Sequence, residues 1–183
     1  MYVHVLLMDF LSILSALTLV TCPTAFESQD ELQSAVDNCL EESLVGNCST
    51  GKYGPIGDWD VSRVSDMSGM FRGAFSFSSD ISNWDVSRVT DMSEMFYDAS
   101  SFNSDISEWD VSRVTDMNGM FFNANFFNSD LSKWDVSRVT DMEWMFYFAT
   151  SFNSDISKWD VSKVTSMWTV SYTHLTLPTI CSV

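Results

Sequence analysis

The feature that most constrains this chain is a 25-residue repeat. The tetrapeptide WDVS begins at five tryptophans spaced 25 residues apart: Trp59, Trp84, Trp109, Trp134 and Trp159. The second and fourth repeats, 84–108 and 134–158, are identical at 20 of 25 positions. A fixed period of this length is typical of solenoids, in which no repeat can bury its apolar side chains alone and neighbours stack into a continuous core. The period predicts a stack of about four and a half coils over residues 55–168.

Two apolar patterns recur inside each repeat. Alternation across 106–111 places Trp109 and Val111 on one face and Asp110 on the other, which predicts a short β-strand. Apolar residues then follow at i, i+3, i+4 and i+7 after the potential N-cap Thr90, which predicts a short amphipathic helix; they are Met92, Met95, Phe96 and Ala99. We therefore predict an α/β solenoid in which each coil contributes one short strand and one short helix.

Residues 26–54 predict a helical cap ahead of the repeats. Ser28 and Glu31 have the spacing of a capping box, and helical periodicity continues to Leu44. Because the first coil of a solenoid would expose its apolar end, this helix is the candidate cap. Cys39 and Cys48 form the simplest disulfide pair of a secreted protein, since a metal site would need more ligands than two thiolates. Asn47 begins an N-glycosylation sequon.

The two ends of the chain differ in composition from the repeats. Residues 1–25 contain an apolar run and predict a secretory signal peptide cleaved near Ala25; an uncleaved membrane anchor is the alternative. Residues 169–183 share nothing with the repeat, and we interpret this tail as a sequence artefact. The expected location is therefore secreted or at the cell surface.

The charge balance excludes several classes of function. Lys and Arg number 9 against 25 Asp and Glu, which gives a formal net charge of −16. Such a field repels phosphate backbones and anionic lipids, so we expect no nucleic-acid partner, and membrane contact only through an uncleaved N-terminal segment. The only histidines are His4 and His174, and no nucleophile elbow or phosphate-binding loop is present. We expect no enzyme, no catalytic residue, no cofactor and no small-molecule substrate.

Aspartates recur at three positions of the repeat, and an arginine column lies three residues after the first of them. The simplest interpretation is a solvated face on which Asp and Arg charges offset one another. The alternative is calcium binding, because carboxylates are hard oxygen ligands; the candidate ligands are Asp85, Asp110 and Asp135. No EF-hand loop or glycine-rich calcium repeat supports that alternative, and the expectation is no metal.

The repeat pattern W-D-V-S-x-V-T-D-M-S-x-M-F-x-x-A-x-x-F-N-x-D-I-S covers 56–167 and resembles the BspA-like leucine-rich-repeat surface proteins. That family includes a 25-residue repeat domain of unknown function first noted in mycoplasma lipoproteins. The helix with paired cysteines also resembles the segment that often precedes such repeats. The resemblance implies a leucine-rich-repeat-like solenoid and an extracellular or surface protein with an adhesive or recognition role. It carries no catalytic residues to this chain.

These observations predict a non-catalytic module that binds an extracellular protein or glycan. The predicted binding residues lie on the exposed strand surface or differ between repeats: Asp85, Arg88, Asp110, Arg113, Asp135, Arg138 and Trp144. Positions 93, 94 and 98 and their equivalents vary between repeats, and Glu143 and Trp144 make the fourth repeat the least typical. The alternative function is an acidic structural repeat of a wall or matrix, stabilised by calcium. A carbohydrate-active enzyme that uses a carboxylate pair is a third hypothesis.

Overall fold

The computed structural model describes residues 25–167. The predicted signal peptide, apart from Ala25, and the predicted tail lie outside the described residues. The first element is the helix α1, Gln29–Glu42. It begins as the capping pattern predicts, because the Ser28 hydroxyl accepts the N–H of Glu31 at 3.2 Å. The carboxylate of Glu31 accepts the N–H of Glu27 rather than that of Ser28, one residue earlier than in a capping box.

A disulfide joins the end of α1 to the loop that follows it. It links Cys39 to Cys48, whose Cα atoms are 5.4 Å apart, as the sequence predicted. The chain then passes through a short 3-10 helix, Ile56–Asp58, into the first repeat. No helix among residues 25–167 is both long enough and apolar enough to cross a membrane.

Successive repeats are joined by a regular series of main-chain hydrogen bonds. The N–H of Met67 donates to the carbonyl of Asp91 at 2.9 Å, and every second N–H onward makes the equivalent bond to the next repeat. We call these stretches the ladder segments: 66–73, 91–98, 116–123 and 141–148. Isolated parallel bridges join their first residues and continue into the fifth repeat: Asp66, Asp91, Asp116, Asp141 and Ser166. The repeats are therefore stacked coils.

The helix predicted after Thr90 is not formed. Residues 91–99 fold as consecutive turns, with alternate N–H groups donating three residues back within the coil. Glu94 and Asp98 have φ of 54° and 59°, which an α-helix does not allow. The apolar stripe at i, i+3, i+4 and i+7 is nevertheless buried. The coil gains hydrogen bonds to both neighbours, and this long-range pairing overrides the local helical pattern.

The strand predicted at 106–111 is also wrong, because this stretch begins with a turn in which the N–H of Trp109 donates to Ile106 at 3.2 Å. The predicted faces are nevertheless right: Trp109 and Val111 are buried and Asp110 is exposed. A turn that directs alternate side chains inward gives the same sequence pattern as a strand. The parallel bridges lie in the ladder segments instead.

Two columns of stacked phenylalanine rings run through the core. Phe71, Phe96, Phe121 and Phe146 form the first column, with ring centroids 5.5 to 5.7 Å apart. A second column, which begins at Phe77, stacks beside it, and the two rings of one coil lie about 4 Å apart. Each ring is covered by the rings of neighbouring coils, so the core exists only when coils stack.

The helix α1 covers the first coil and bonds to its ladder segment. Gln29 Nε2 donates to the carbonyl of Ser68 at 3.0 Å, and Gln33 Nε2 donates to that of Met70 at 3.2 Å. In later coils the equivalent carbonyls accept N–H groups from the preceding coil. Leu32 and Val36 on the same helix are fully buried in the common core. Two glutamines one helical turn apart thus replace the missing coil.

Candidate functional site

All three aspartate columns close turns of the main chain. Asp85 Oδ1 accepts the N–H of Ser87 at 3.0 Å, and every equivalent aspartate accepts the N–H two residues later. This is the Asx-turn geometry, in which a short carboxylate replaces a backbone acceptor. The members are Asp60, Asp85, Asp110, Asp135, Asp160, Asp66, Asp91, Asp116, Asp141, Asp80, Asp105, Asp130 and Asp155. A local turn in every coil therefore accounts for their recurrence.

The turn hydrogen bonds also set the acidity of these groups. Hydrogen bonds from the serine two residues later are the main cause that lowers the pKa of several carboxyls: Asp60, Asp80, Asp105, Asp110, Asp130, Asp135, Asp155 and Asp160. Asp116 is the exception. Its burial, together with the charges of Asp91 and Asp141, raises the pKa of this carboxyl against the hydrogen bond from Asn118.

A column of serines connects neighbouring coils beside the third aspartate column. The buried Ser104 hydroxyl accepts the N–H of Ile81 at 3.1 Å and donates to Asp80 Oδ1 at 3.1 Å. Ser129 and Ser154 repeat these contacts one and two coils later. The serine column therefore has a structural role that requires the same residue in every repeat.

The charged residues predicted to bind a partner are exposed, but they lie in turns and not on a strand. They are Asp85, Arg88, Asp110, Arg113, Asp135 and Arg138. Within residues 25–167 no ion pair involves these arginines, although the charge of Arg113 contributes, after the Ser112 hydrogen bonds, to lowering the pKa of Asp110. Trp144, the seventh predicted residue, lies elsewhere in the coil, in the last ladder segment.

Asp85, Asp110 and Asp135, the candidate calcium ligands, belong to no metal-binding cluster in the part of the chain that the structure describes. Within 25–167, no group of three or more Asp, Glu, Cys or His side chains is placed to share a metal ion. One oxygen of each of these carboxylates already closes its own turn. The side chain of Asn47, the predicted glycosylation residue, is exposed.

The outward positions of the ladder segments differ between repeats, as do positions 75 and 83 and their equivalents outside these segments. We call the outward side chains of the ladder segments the ladder face. The column that contains position 94 reads Gly69, Glu94, Gly119 and Trp144. The column that contains position 98 reads Gly73, Asp98, Asn123 and Phe148. Both columns have positive φ in all four coils, a conformation that costs bulky L-residues roughly 1–2 kcal/mol.

Aromatic side chains dominate the later coils of the ladder face. Tyr97 stacks on Phe122 with ring centroids 4.3 Å apart, and Phe122 lies 5.1 Å from Tyr147. Trp144 and Phe148 are 45% and 47% exposed although they occupy strained backbone positions. Bulky rings at positions where glycine or asparagine would fit without strain point to a role beyond folding.

The sequence analysis identified Trp144 and the variation at positions 94 and 98. It missed the aromatic column formed by Tyr97, Phe122 and Tyr147. These residues lie one position after the buried phenylalanines, so the core pattern does not explain them. An aromatic residue at the same non-core position of three repeats was the signal that could have revealed the stack.

A cleft of about 450 Å³ lies between α1 and the loop that follows the disulfide. Its lining includes Glu31, Glu42, Lys52, Tyr53 and Trp59. Lys52 Nζ donates to the Tyr53 hydroxyl at 2.8 Å. The cleft therefore lies where the cap meets Trp59, the first residue of the first repeat.

Stacked 25-residue coils and a variable face define a tandem-repeat protein. The family model described as Mycoplasma protein of unknown function, DUF285, matches residues 41–137 and 108–175, which together cover most of the chain. The chain belongs to this family. No curated protein and no solved structure matched the chain.

Proposed function

We propose that this protein is a non-catalytic, secreted or cell-surface binding module that contacts an extracellular protein or glycan through the ladder face. One observation carries the proposal: the outward positions of the ladder segments differ between repeats and include exposed aromatic residues in the fourth coil. The core and Asx-turn positions keep the same residues because packing and turn closure require them. A variable surface that exposes aromatic side chains such as Trp144 and Phe148 is suited to recognition of a partner.

The exposed rings of the fourth coil are the proposed contact residues. Trp and Tyr are enriched among the residues that dominate binding energy at protein interfaces, because one rigid ring removes a large apolar area from water. Trp144, Tyr147 and Phe148 lie within five consecutive residues, and the Tyr147 and Phe148 rings are 4.2 Å apart. Trp144 and Phe148 are exposed and Tyr147 is half-buried, so together they present an apolar patch of the kind that marks interaction sites.

The stacked coils and their parallel bridges support the finer assignment to a leucine-rich-repeat-like solenoid of the BspA-like kind. That assignment in turn supports a surface location. The non-catalytic assignment rests on the aspartates, since each closes a turn and recurs in every coil. A catalytic carboxylate pair would be unique and asymmetric.

The alternative function is an acidic structural repeat stabilised by calcium. Repulsion between neighbouring carboxylates supports it to a limited extent. The charge of Asp135 acts to raise the pKa of Asp110, and the charge of Asp130 acts to raise that of Asp105, although both pKa values are lowered overall. A cation between coils would remove this repulsion. The turn hydrogen bonds already offset it without metal.

A direct test is binding of the full chain to a panel of purified extracellular-matrix proteins and glycans. We expect at least one ligand whose binding is lost in Trp144→Asn, since asparagine tolerates the positive φ of this position and removes only the ring. Phe75→Asn is the matched control, because Phe75 is an exposed ring outside the aromatic column. Equal binding by the wild type and Trp144→Asn to every ligand would contradict the proposal.

A further inference from the structure

The cleft between α1 and the loop after the disulfide, which we call the cap cleft, has an apolar floor and a polar rim. Its volume is about 450 Å³, and the lining residues that are buried are Ala35, Cys39, Cys48 and Trp59. The lining residues that are exposed are Glu31, Ser34, Asn38, Glu42 and Lys52. A concave apolar floor with a few polar groups is the usual anatomy of a small-molecule site.

The helix wall of the cap cleft presents mainly hydrogen-bond acceptors that are unused. The Ser34 hydroxyl donates to the main-chain carbonyl of Asp30 at 2.8 Å, and Asn38 Nδ2 donates to that of Ser34 at 2.6 Å, so these donors serve the helix itself. Glu31 Oε1, Asn38 Oδ1 and the carboxylate of Glu42 accept no hydrogen bond within the described residues. A wall of this kind is suited to a ligand that donates hydrogen bonds.

The two carboxylates lie near opposite ends of the helix wall. Glu31 is in the first turn of α1 and Glu42, eleven residues later, is its last residue, which corresponds to a rise of roughly 16 Å. The Glu42 carboxylate also approaches the opposite wall, because a Cβ atom at Gly51 would lie 3.5 Å from Glu42 Oε2. Neither carboxylate forms an ion pair within 25–167. The spacing therefore fits an extended ligand with a positive charge toward each end.

The opposite wall already contacts an ammonium group. Lys52 Nζ lies 4.5 Å from the Tyr53 ring centroid, a distance at which the ring attracts a cation. Lys52 is the only basic residue in the lining of the cleft, against two carboxylates, so the cleft has a net negative charge. This charge favours a cationic ligand over a neutral or anionic one.

We propose that the cap cleft binds a linear aliphatic polyamine, with ammonium groups toward Glu31 and Glu42 and the methylene chain over Ala35 and the disulfide. This site goes beyond the proposed function, since it lies in the cap and not on the ladder face. The ammonium groups donate to the unused acceptors, and the methylene chain covers the apolar floor as a lysine side chain would. The net charge of −16 raises the local concentration of polycations.

The test is calorimetric titration of the full chain at low ionic strength with spermine, a linear tetraamine whose extended chain is roughly 16 Å long. Hexaethylene glycol is the neutral linear control ligand. We expect spermine alone to bind, and Glu42→Gln to weaken its binding about threefold, as loss of one exposed ion pair does. Lys52→Gln should tighten it by a similar factor, because it removes the one positive charge of the lining.

Glu41→Gln is the matched control, since Glu41 is exposed on the same helix and does not line the cleft. It should bind spermine as the wild type does, and all variants should keep the circular dichroism of the wild type. Equal weakening by Glu41→Gln and Glu42→Gln would overturn the site and indicate general attraction to an acidic surface. Absence of spermine binding, or equal binding of the neutral ligand, would also overturn it.

Discussion

The side-chain amide of Gln33 donates to the main-chain carbonyl of Met70 at 3.2 Å, and through this contact α1 substitutes for a coil that the repeat array lacks. Every later ladder segment receives main-chain N–H groups from the coil before it. The first coil receives side-chain amides instead. The cap is therefore specified by hydrogen bonding as well as by the apolar face of the helix.

Replacing Gln29 and Gln33 together by methionine should lower the free energy of unfolding by about 1–3 kcal/mol. Methionine keeps the length of the side chain but leaves the carbonyls of Ser68 and Met70 without donors. Urea unfolding followed by circular dichroism measures the change. Ser34→Ala, at an exposed position of the same helix, is the control and should shift stability by less than about 0.5 kcal/mol. Equal stability of the two proteins would argue against the cap hydrogen bonds.

The aspartates should make the fold sensitive to acid. A carboxyl whose pKa is lowered in the folded state stabilises the protein above its unfolded pKa of 3.8, and that contribution is lost as the pH falls below this value. Asp116 acts in the opposite direction, because its raised pKa favours folding as the pH falls toward 3.8. Eight carboxyls have a lowered pKa and one has a raised pKa, so the urea midpoint should fall below about pH 4. A midpoint that is constant or rises there would contradict the assignment.

Substitution of one turn aspartate separates its hydrogen bond from its charge. Asp110→Asn keeps an acceptor oxygen for the N–H of Ser112, whereas Asp110→Ala removes it. We expect the asparagine variant to unfold near the wild-type midpoint and the alanine variant to unfold clearly earlier. If both variants lose the same stability, the charge and not the turn is what the coil requires.

Calcium should not change the stability of the described repeats, because each turn aspartate closes its own turn and no three acidic side chains within 25–167 are placed to share a metal ion. A ligand at a hundredfold its dissociation constant would add roughly 2.7 kcal/mol. Thermal unfolding of the full chain in calcium and in EDTA should therefore give the same midpoint. A higher midpoint in calcium would support the matrix alternative.

The sequence was sufficient for the period, the cap helix, the disulfide and the core positions, because each depends on spacing or on local chemistry. It was insufficient for the elements inside a coil. Inward and outward alternation fits both a strand and a turn, and the pattern at Met92 and Met95 fits both a helix and consecutive turns. Gly69 and Gly119 in the column of Glu94 were the overlooked signal, since glycine in equivalent positions indicates positive φ.

The candidate site was harder to predict, because Tyr97 and Phe122 become neighbours only when coils stack. The charged residues of the turns attracted attention instead, since the same Asp and Arg recur in every repeat. In the structure this recurrence reflects turn closure by Asp85 and its equivalents. In the proposed function, the variable outward positions and not the recurrent turn residues form the recognition surface.

The most direct measurement compares two surface variants of the full chain for binding to the panel of extracellular proteins and glycans. One variant, Trp144→Asn with Phe148→Asn, removes two rings of the ladder face. The other removes three turn arginines by Arg88→Gln, Arg113→Gln and Arg138→Gln, all at exposed positions. Recognition through the ladder face predicts that only the first variant loses the ligand while both remain folded by circular dichroism. Loss of the ligand in the arginine variant, with binding kept by the ring variant, would contradict it.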